Sequence, residues 1–229
     1  MAKLVLWDVD LTLVDYSGIG REWYAIAMTR ALGVEMTHHP TFPGRTERGI
    51  VAEMLAAHGV DHREEHVQSL FTELVAISTE ARDTLHERGR ALPGAAAVLK
   101  TLAGRDDVVQ SLVTGNLPEL ADHKLSALDL HHHVDFAIGG YGSLSEHRHD
   151  LVAHAMNLAE AKHGNAFAPA DVVVIGDTPN DVACALHHGA VAIGVATGRH
   201  SAGLLAESGA HAVLTDLSDT PAVVTTLLG

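Results

Sequence analysis

A chain of 229 residues with 15 Lys and Arg against 29 Asp and Glu, a net charge of −14, has room for one large domain or one domain with a sizeable insertion. Its 47% hydrophobic and 19% charged residues exclude disorder, and its acidity argues against general nucleic-acid binding, which needs basic clusters for the phosphates. The single cysteine, Cys184, excludes an internal disulfide and suits a cytoplasmic protein; no run of about 18 apolar residues offers a membrane span, and carboxylates by the eighth residue argue against a signal peptide.

Leu4-Val5-Leu6-Trp7 predicts a buried strand that runs into the polar loop Asp8-Val9-Asp10-Leu11-Thr12. Residues 16–90 then carry no strand run. Amphipathic helices are expected over Arg21 to Leu32, Glu47 to Ala57 and Arg63 to Glu87, with Gly33, Gly59 and Gly89 as stops. Gly18 and Gly20 could be flexible joints or a plain turn, and Leu92-Pro93-Gly94 marks the return. Strand runs resume at Val108 to Val113, Val134 to Ile138, Val172 to Ile175, Val191 to Val195 and Ala212 to Leu214, most of them separated by helical stretches. This alternation predicts an α/β fold with a parallel sheet covered on both faces. The core is expected over 1–15 and 91–229, with 16–90 forming a helical cap. Eighteen histidines include the triplet His131-His132-His133. His62 and His66 lie four apart, a spacing that could hold a metal on a helix, but with no further ligand nearby they read as surface residues.

In an open parallel sheet, ligands sit beyond the carboxyl ends of the strands. The predicted strand ends carry Asp8, Asp10 and Thr12, then Thr114, Gly115 and Asn116, then Gly176, Asp177, Thr178, Asn180 and Asp181. Four carboxylates on one rim repel, so some must protonate or a cation must sit among them. An all-oxygen set without His or Cys favours a hard ion, Mg²⁺. Thr114-Gly115-Asn116 offers a hydroxyl and backbone N–H groups suited to a phosphate, although an ordinary turn capped by Asn116 would use the same residues.

Asp8-Val9-Asp10-Leu11-Thr12-Leu13-Val14, Thr114-Gly115-Asn116 and Gly176-Asp177-Thr178-Pro179-Asn180-Asp181 resemble the first, second and fourth motifs of the haloacid dehalogenase (HAD) superfamily. The helical insertion after the first motif resembles the cap of its phosphoglycolate phosphatase-like branch. The resemblance implies a Rossmann-like core with an inserted all-helical cap, and an Mg²⁺-dependent phosphatase acting on a small phosphorylated metabolite as a monomer or homodimer. Asp8 would be the nucleophile and Asp10 the acid–base. Mg²⁺ would be held by Asp8, the Asp10 carbonyl, Asp177 and Asp181. Thr114, Gly115 and Asn116 would hold the phosphoryl oxygens. A phosphomutase shares this core. A 2-haloacid dehalogenase typically lacks the second aspartate, and a phospho-receiver module is about half this length.

The sequence departs from the superfamily pattern twice. Leu11 stands where a glycine is usual. The third motif, usually a lysine followed by proline, falls on Ser145-Glu146-His147-Arg148-His149-Asp150, where Arg148 is the best positional match and Lys124 the rival. In the cap, Pro43-Gly44-Arg45-Thr46-Glu47 resembles a substrate-facing loop. Arg45 is the expected specificity residue, reading a second anionic group, unless it pairs with Glu47 or Asp61 at the surface.

Overall fold

The computed structural model describes residues 2–164 and 166–229. Six parallel strands form one sheet: β1 (Lys3–Trp7), β4 (Val108–Thr114), β5 (Gly140–Tyr141), β6 (Val172–Gly176), β7 (Val191–Val195) and β8 (Ala212–Leu214), in the order β5-β4-β1-β6-β7-β8. The order reverses at β1, so the ends of β1, β4 and β6 meet at a switch point, where an open α/β sheet leaves a crevice.

Strand side chains alternate between two apolar layers, which is why the strands read as unbroken hydrophobic runs. Val5, Trp7, Val173 and Ile175 face α4 (Ala95–Ala103), α5 (Pro118–Ser126) and α9 (Thr220–Leu228). Leu4, Leu6, Val172 and Val174 face α6 (His149–His163), α7 (Pro179–His187) and α8 (Ala202–Glu207).

Between β1 and α4 lie three helices, α1 (Ile19–Leu32), α2 (Glu47–Ala57) and α3 (Glu64–Glu80). The chain leaves and re-enters through a small antiparallel ribbon, β2 (Val14–Asp15) on β3 (Arg90–Ala91). The apolar layer on the α4–α5 face continues into this insert through Trp23, Met28, Leu70 and Leu74. A buried Ser78–His123 hydrogen bond of 2.9 Å also ties α3 to α5.

Two predicted elements differ. Val134 to Ile138 is not a strand: Asp135 Oδ1 accepts from the Ala137 amide at 3.1 Å and turns Phe136–Ile138 into a short 3₁₀ coil. The edge strand comes two residues later, at Gly140, where a Cβ would stand 2.2 Å from the Leu151 carbonyl oxygen. The expected long helix to Glu87 ends at Glu80 and resumes only as a 3₁₀ turn at Leu85–Glu87. Gly18 has φ 100° just before α1, whereas Gly20 lies inside that helix. His62 and His66 do not converge: the imidazole of His66 bonds the Asp61 carbonyl, and that of His62 lies 4.0 Å from Glu146. Among the described residues, no helix is long and apolar enough to cross a membrane.

Candidate active site

The three strand ends deliver their polar residues to one place, in two clusters. The first surrounds Asp8, which directly follows β1 and is 6% exposed. Asp177 and Asp181, both 2% exposed, come from the end of β6 and the first turn of α7. Carboxylate oxygens of all three lie within 4.8 Å of one another. Asp181 is oriented by a capping box: its Oδ2 accepts from the Thr178 amide at 3.0 Å and from the Thr178 hydroxyl at 2.6 Å. A Cβ at Gly198 would fall 1.7 Å from Asp177 Oδ2, so only glycine leaves room for that carboxylate.

Among the described residues, one cation serves this cluster. Arg148 Nη2 donates to Asp8 Oδ1 at 2.6 Å and lies 2.7 Å from Asp181 Oδ1, the latter outside hydrogen-bond geometry. One guanidinium cannot neutralise three buried carboxylates. Asp177 Oδ2 is buried without a hydrogen-bond partner. Burial, only partly opposed by Arg148, pushes Asp8 up to about 7. Burial and the neighbouring Asp8 and Asp181 push Asp177 up to about 8. An orphaned buried carboxylate oxygen in an all-oxygen pocket with surplus negative charge fits a hard divalent cation.

The second cluster surrounds Asp10. Lys124 Nζ donates to Asp10 Oδ1 at 2.8 Å and Oδ2 at 2.6 Å, and to Asn116 Oδ1 at 2.7 Å. Asn116 Nδ2 donates to Asp10 Oδ2 at 2.8 Å and to the Thr114 hydroxyl at 2.8 Å. Arg148 and Lys124 therefore both enter the site on different carboxylates, Arg148 on Asp8 and Lys124 on Asp10. The Asp10 carboxylate is outside the three-carboxylate group, and its side chain keeps 41% exposure, so it faces open space. Leu11 takes a left-handed φ of 60°, the geometry that explains the usual glycine there, and its carbonyl accepts from Thr197 at 2.6 Å.

The insert docks on the loop that follows β4 and on the turn after β5. The Glu47 and Arg48 amides, unpaired donors of the first turn of α2, bond the Gly115 and Gly142 carbonyls, each at 2.9 Å. A Cβ on Gly115 would meet the Arg45 carbonyl oxygen at 1.8 Å. The Arg45 guanidinium bonds Glu53 and, at 2.9 Å, the Gly49 carbonyl; its partner is thus neither Glu47 nor Asp61. Arg45 also borders a cleft of about 450 Å³ with Arg148, Asn180 and His187.

Glu47, read from sequence only as a surface partner for Arg45, is buried, and the Tyr24 hydroxyl donates to its carboxylate. Burial, moderated by Tyr24 and Lys124, raises Glu47 to about 7. Its position one residue past the cap Thr46, in the loop already singled out, was the available signal. Its burial depends on how the insert docks, which periodicity does not report.

The model of the haloacid dehalogenase-like hydrolases matches residues 5–186, a span that includes all three motif loops. The chain belongs to this hydrolase family. Solved structures share the HAD fold at low identity. A hydrolase from Pseudomonas syringae is 21% identical with a TM-score of 0.64 over 100% of both chains. A predicted phosphoglycolate phosphatase from Haemophilus somnus is 17% identical with a TM-score of 0.68, covering 97% of this chain and 98% of that one. A candidate β-phosphoglucomutase from Bacteroides vulgatus is 19% identical with a TM-score of 0.69, covering 99% and 88%. No curated protein matches significantly. Among the described residues of this HAD hydrolase, two groups could hold a metal ion: Asp129, His131 and His132, away from the motif loops, and the buried Asp8, Asp177 and Asp181 at the motif loops.

Proposed function

We propose that this HAD hydrolase is an Mg²⁺-dependent phosphatase that cleaves small-molecule phosphomonoesters through a phosphoryl group carried on Asp8. The reading is carried by the split between the two clusters. Asp8 sits in an undercompensated carboxylate pocket, and Asp10, two residues on, stands apart from it beside open space.

Asp8, Asp177, Asp181 and the Asp10 carbonyl would hold Mg²⁺. When bound, the ion offsets the repulsion between a carboxylate nucleophile and a phosphate dianion. An Asp8 oxygen then attacks phosphorus as the bond to the leaving oxygen breaks. Arg148, already on Asp8, supplies positive charge against the negative charge of the phosphoryl oxygens. Thr114, Gly115 and Asn116 lie at the β4 end where those oxygens need donors. The Asp10 oxygens accept from Lys124 and Asn116, which hold the carboxylate in place to take a proton from the water that hydrolyses the Asp8 acyl phosphate. For the first half-reaction one of these contacts yields to the proton that Asp10 gives the leaving oxygen.

The test is phosphate release from 4-nitrophenyl phosphate with and without Mg²⁺. We expect activity that chelation abolishes and Mg²⁺ restores. Asp8→Asn, which keeps shape and removes the nucleophile, should lower kcat at least about a thousandfold with the fold intact by circular dichroism. Substantial turnover by that variant would sink the covalent route. Transfer of phosphate to a second hydroxyl without net release would favour the mutase, and halide release without phosphatase activity the dehalogenase.

A further inference from the structure

We infer that Asp129, His131 and His132 form a second metal site, suited to Zn²⁺ and separate from the acidic pocket around Asp8. The inference does not depend on the phosphatase reading. It starts from the histidine triplet, which the three motif loops leave unexplained.

The local fold brings these donors together. Helix α5 ends at Ser126, and Asp129 then turns the chain with a left-handed φ of 58°. Leu130 is 1% exposed, and its amide bonds the Leu125 carbonyl at 2.9 Å. The next three residues make a single 3₁₀ turn, His131–His133. Its last residue is fastened to the sheet: buried Gln110 of β4 donates from Nε2 to the His133 carbonyl at 3.1 Å. Leu130 and His133 are thus held on either side, and the pair between them is presented beside Asp129.

Ligand atoms of Asp129, His131 and His132 lie within 4.8 Å of one another. Asp129 Oδ1 and His132 Nε2 are 3.4 Å apart. Two donors on one tetrahedral Zn²⁺ stand roughly 3.3 Å apart, so this pair already has the separation of shared ligands. The His131 and His132 ring centroids are 3.6 Å apart. His131 Nδ1 is buried with no hydrogen-bond partner, as Asp177 Oδ2 is in the Asp8 pocket. The Asp129 and His132 side chains are 87% and 64% exposed, so both can rotate to bonding distance and an ion can reach them from solvent.

The donor sets distinguish the two sites. Two imidazoles with one carboxylate suit Zn²⁺ and leave a position for water, whereas the all-carboxylate pocket suits Mg²⁺. Their places in the fold differ as well. Besides the His133 contact, the Gln110 carbonyl accepts from the Asp135 amide at 2.8 Å, so the turn is tied to β4 at Gln110. Gln110 precedes Thr114, at the motif end of β4, by about 13 Å of strand. Zn²⁺ there would staple the chain that leaves α5, a structural role rather than a catalytic one.

The experiment is calorimetric titration of the protein with Zn²⁺ in excess Mg²⁺, paired with amide hydrogen exchange. We expect the wild-type protein to bind about one equivalent of Zn²⁺ at this site, with a raised Tm and slowed exchange over residues 127–135. Asp129→Asn and His132→Gln should each weaken that binding at least about tenfold. Replacing His147 and His149 by Gln, a second cluster with stacked rings, should leave it unchanged. No saturable Zn²⁺ binding overturns the inference. Binding that survives Asp129→Asn and His132→Gln, or that is lost with His147 and His149, places the ion elsewhere and also overturns it. If a variant folds poorly, the wild-type exchange pattern still decides: protection absent from residues 127–135 sinks the site.

Discussion

Asp8 and Asp10 stand two residues apart, yet their surroundings are opposite in kind. Asp8 shares a buried pocket with two further carboxylates and one guanidinium, and an Asp177 oxygen there has no partner. Asp10 receives an ammonium and an amide, and those donors are themselves cross-linked through Asn116. The first cluster is electrostatically incomplete without a cation, whereas the second is complete as built. A chain can thus hold two aspartates on one loop in different roles by surrounding them differently, without altering the residues themselves.

Removing the cations one at a time is the most severe way to break the comparison. Deleting one partner from a buried charge group costs roughly 3–5 kcal/mol. For Arg148→Met in metal-free protein that is a fall in Tm on the order of 10 °C, read by calorimetry, and much of it should return with Mg²⁺. Lys124→Met should cost less, about 1–3 kcal/mol, because half-exposed Asp10 regains water. Its loss should not respond to Mg²⁺. Equal Mg²⁺ rescue of both variants would erase the distinction.

A milder probe is the ion itself. At a hundred times its Kd, a ligand stabilises by about 2.7 kcal/mol, several degrees in Tm for a chain this size. Wild-type protein should show that rise with Mg²⁺, and Asp177→Asn should lose most of it.

The pH dependence of the metal-free protein follows from the same charges. Asp8 at about 7 and Asp177 at about 8 lie far above their ordinary 3.8. Above the unfolded value the folded chain keeps protons the unfolded chain has lost, so stability declines as pH rises and the contribution is gone above about pH 8. Thermal melts across that range should show a falling Tm that Mg²⁺ flattens. A rising Tm would contradict the burial of uncompensated charge.

The smallest effect concerns the turn that joins the two clusters. Leu11 at φ 60° bears a left-handed strain of about 1–2 kcal/mol. Leu11→Gly relieves it while adding freedom to the unfolded chain, so its stability should stay within about 1 kcal/mol of wild type. Leu11→Val should be the worse of the two in denaturant melts, since a branched Cβ tolerates that φ poorly.

Five of the six sheet strands were legible because both faces of the sheet are buried, which turns a central strand into an unbroken run such as Val172-Val173-Val174-Ile175. The edge strand was not, since Gly140 and Tyr141 carry no such run and are selected by the close approach of α6. The motif aspartates were legible by spacing. Arg148 was legible as the cation at Asp8 from its third-motif position; that its rival Lys124 also enters the site, on Asp10, was not, because helical position alone does not say which carboxylate a long side chain reaches. Glu47 illustrates the same limit: its identity was visible, its burial was not.

The docking of α2 onto the β4 loop carries a temporal consequence. Asp8 is 6% exposed, and the amides of Glu47 and Arg48 are bonded across the seam. On the proposed phosphatase reading, a substrate phosphate would need those bonds to part before it meets Asp8, and its product would leave by the same route. Segmental motions of this kind run on microsecond-to-millisecond scales. The seam would then act as a clock, its opening rate a ceiling on turnover that improved chemistry at Asp8 would not raise.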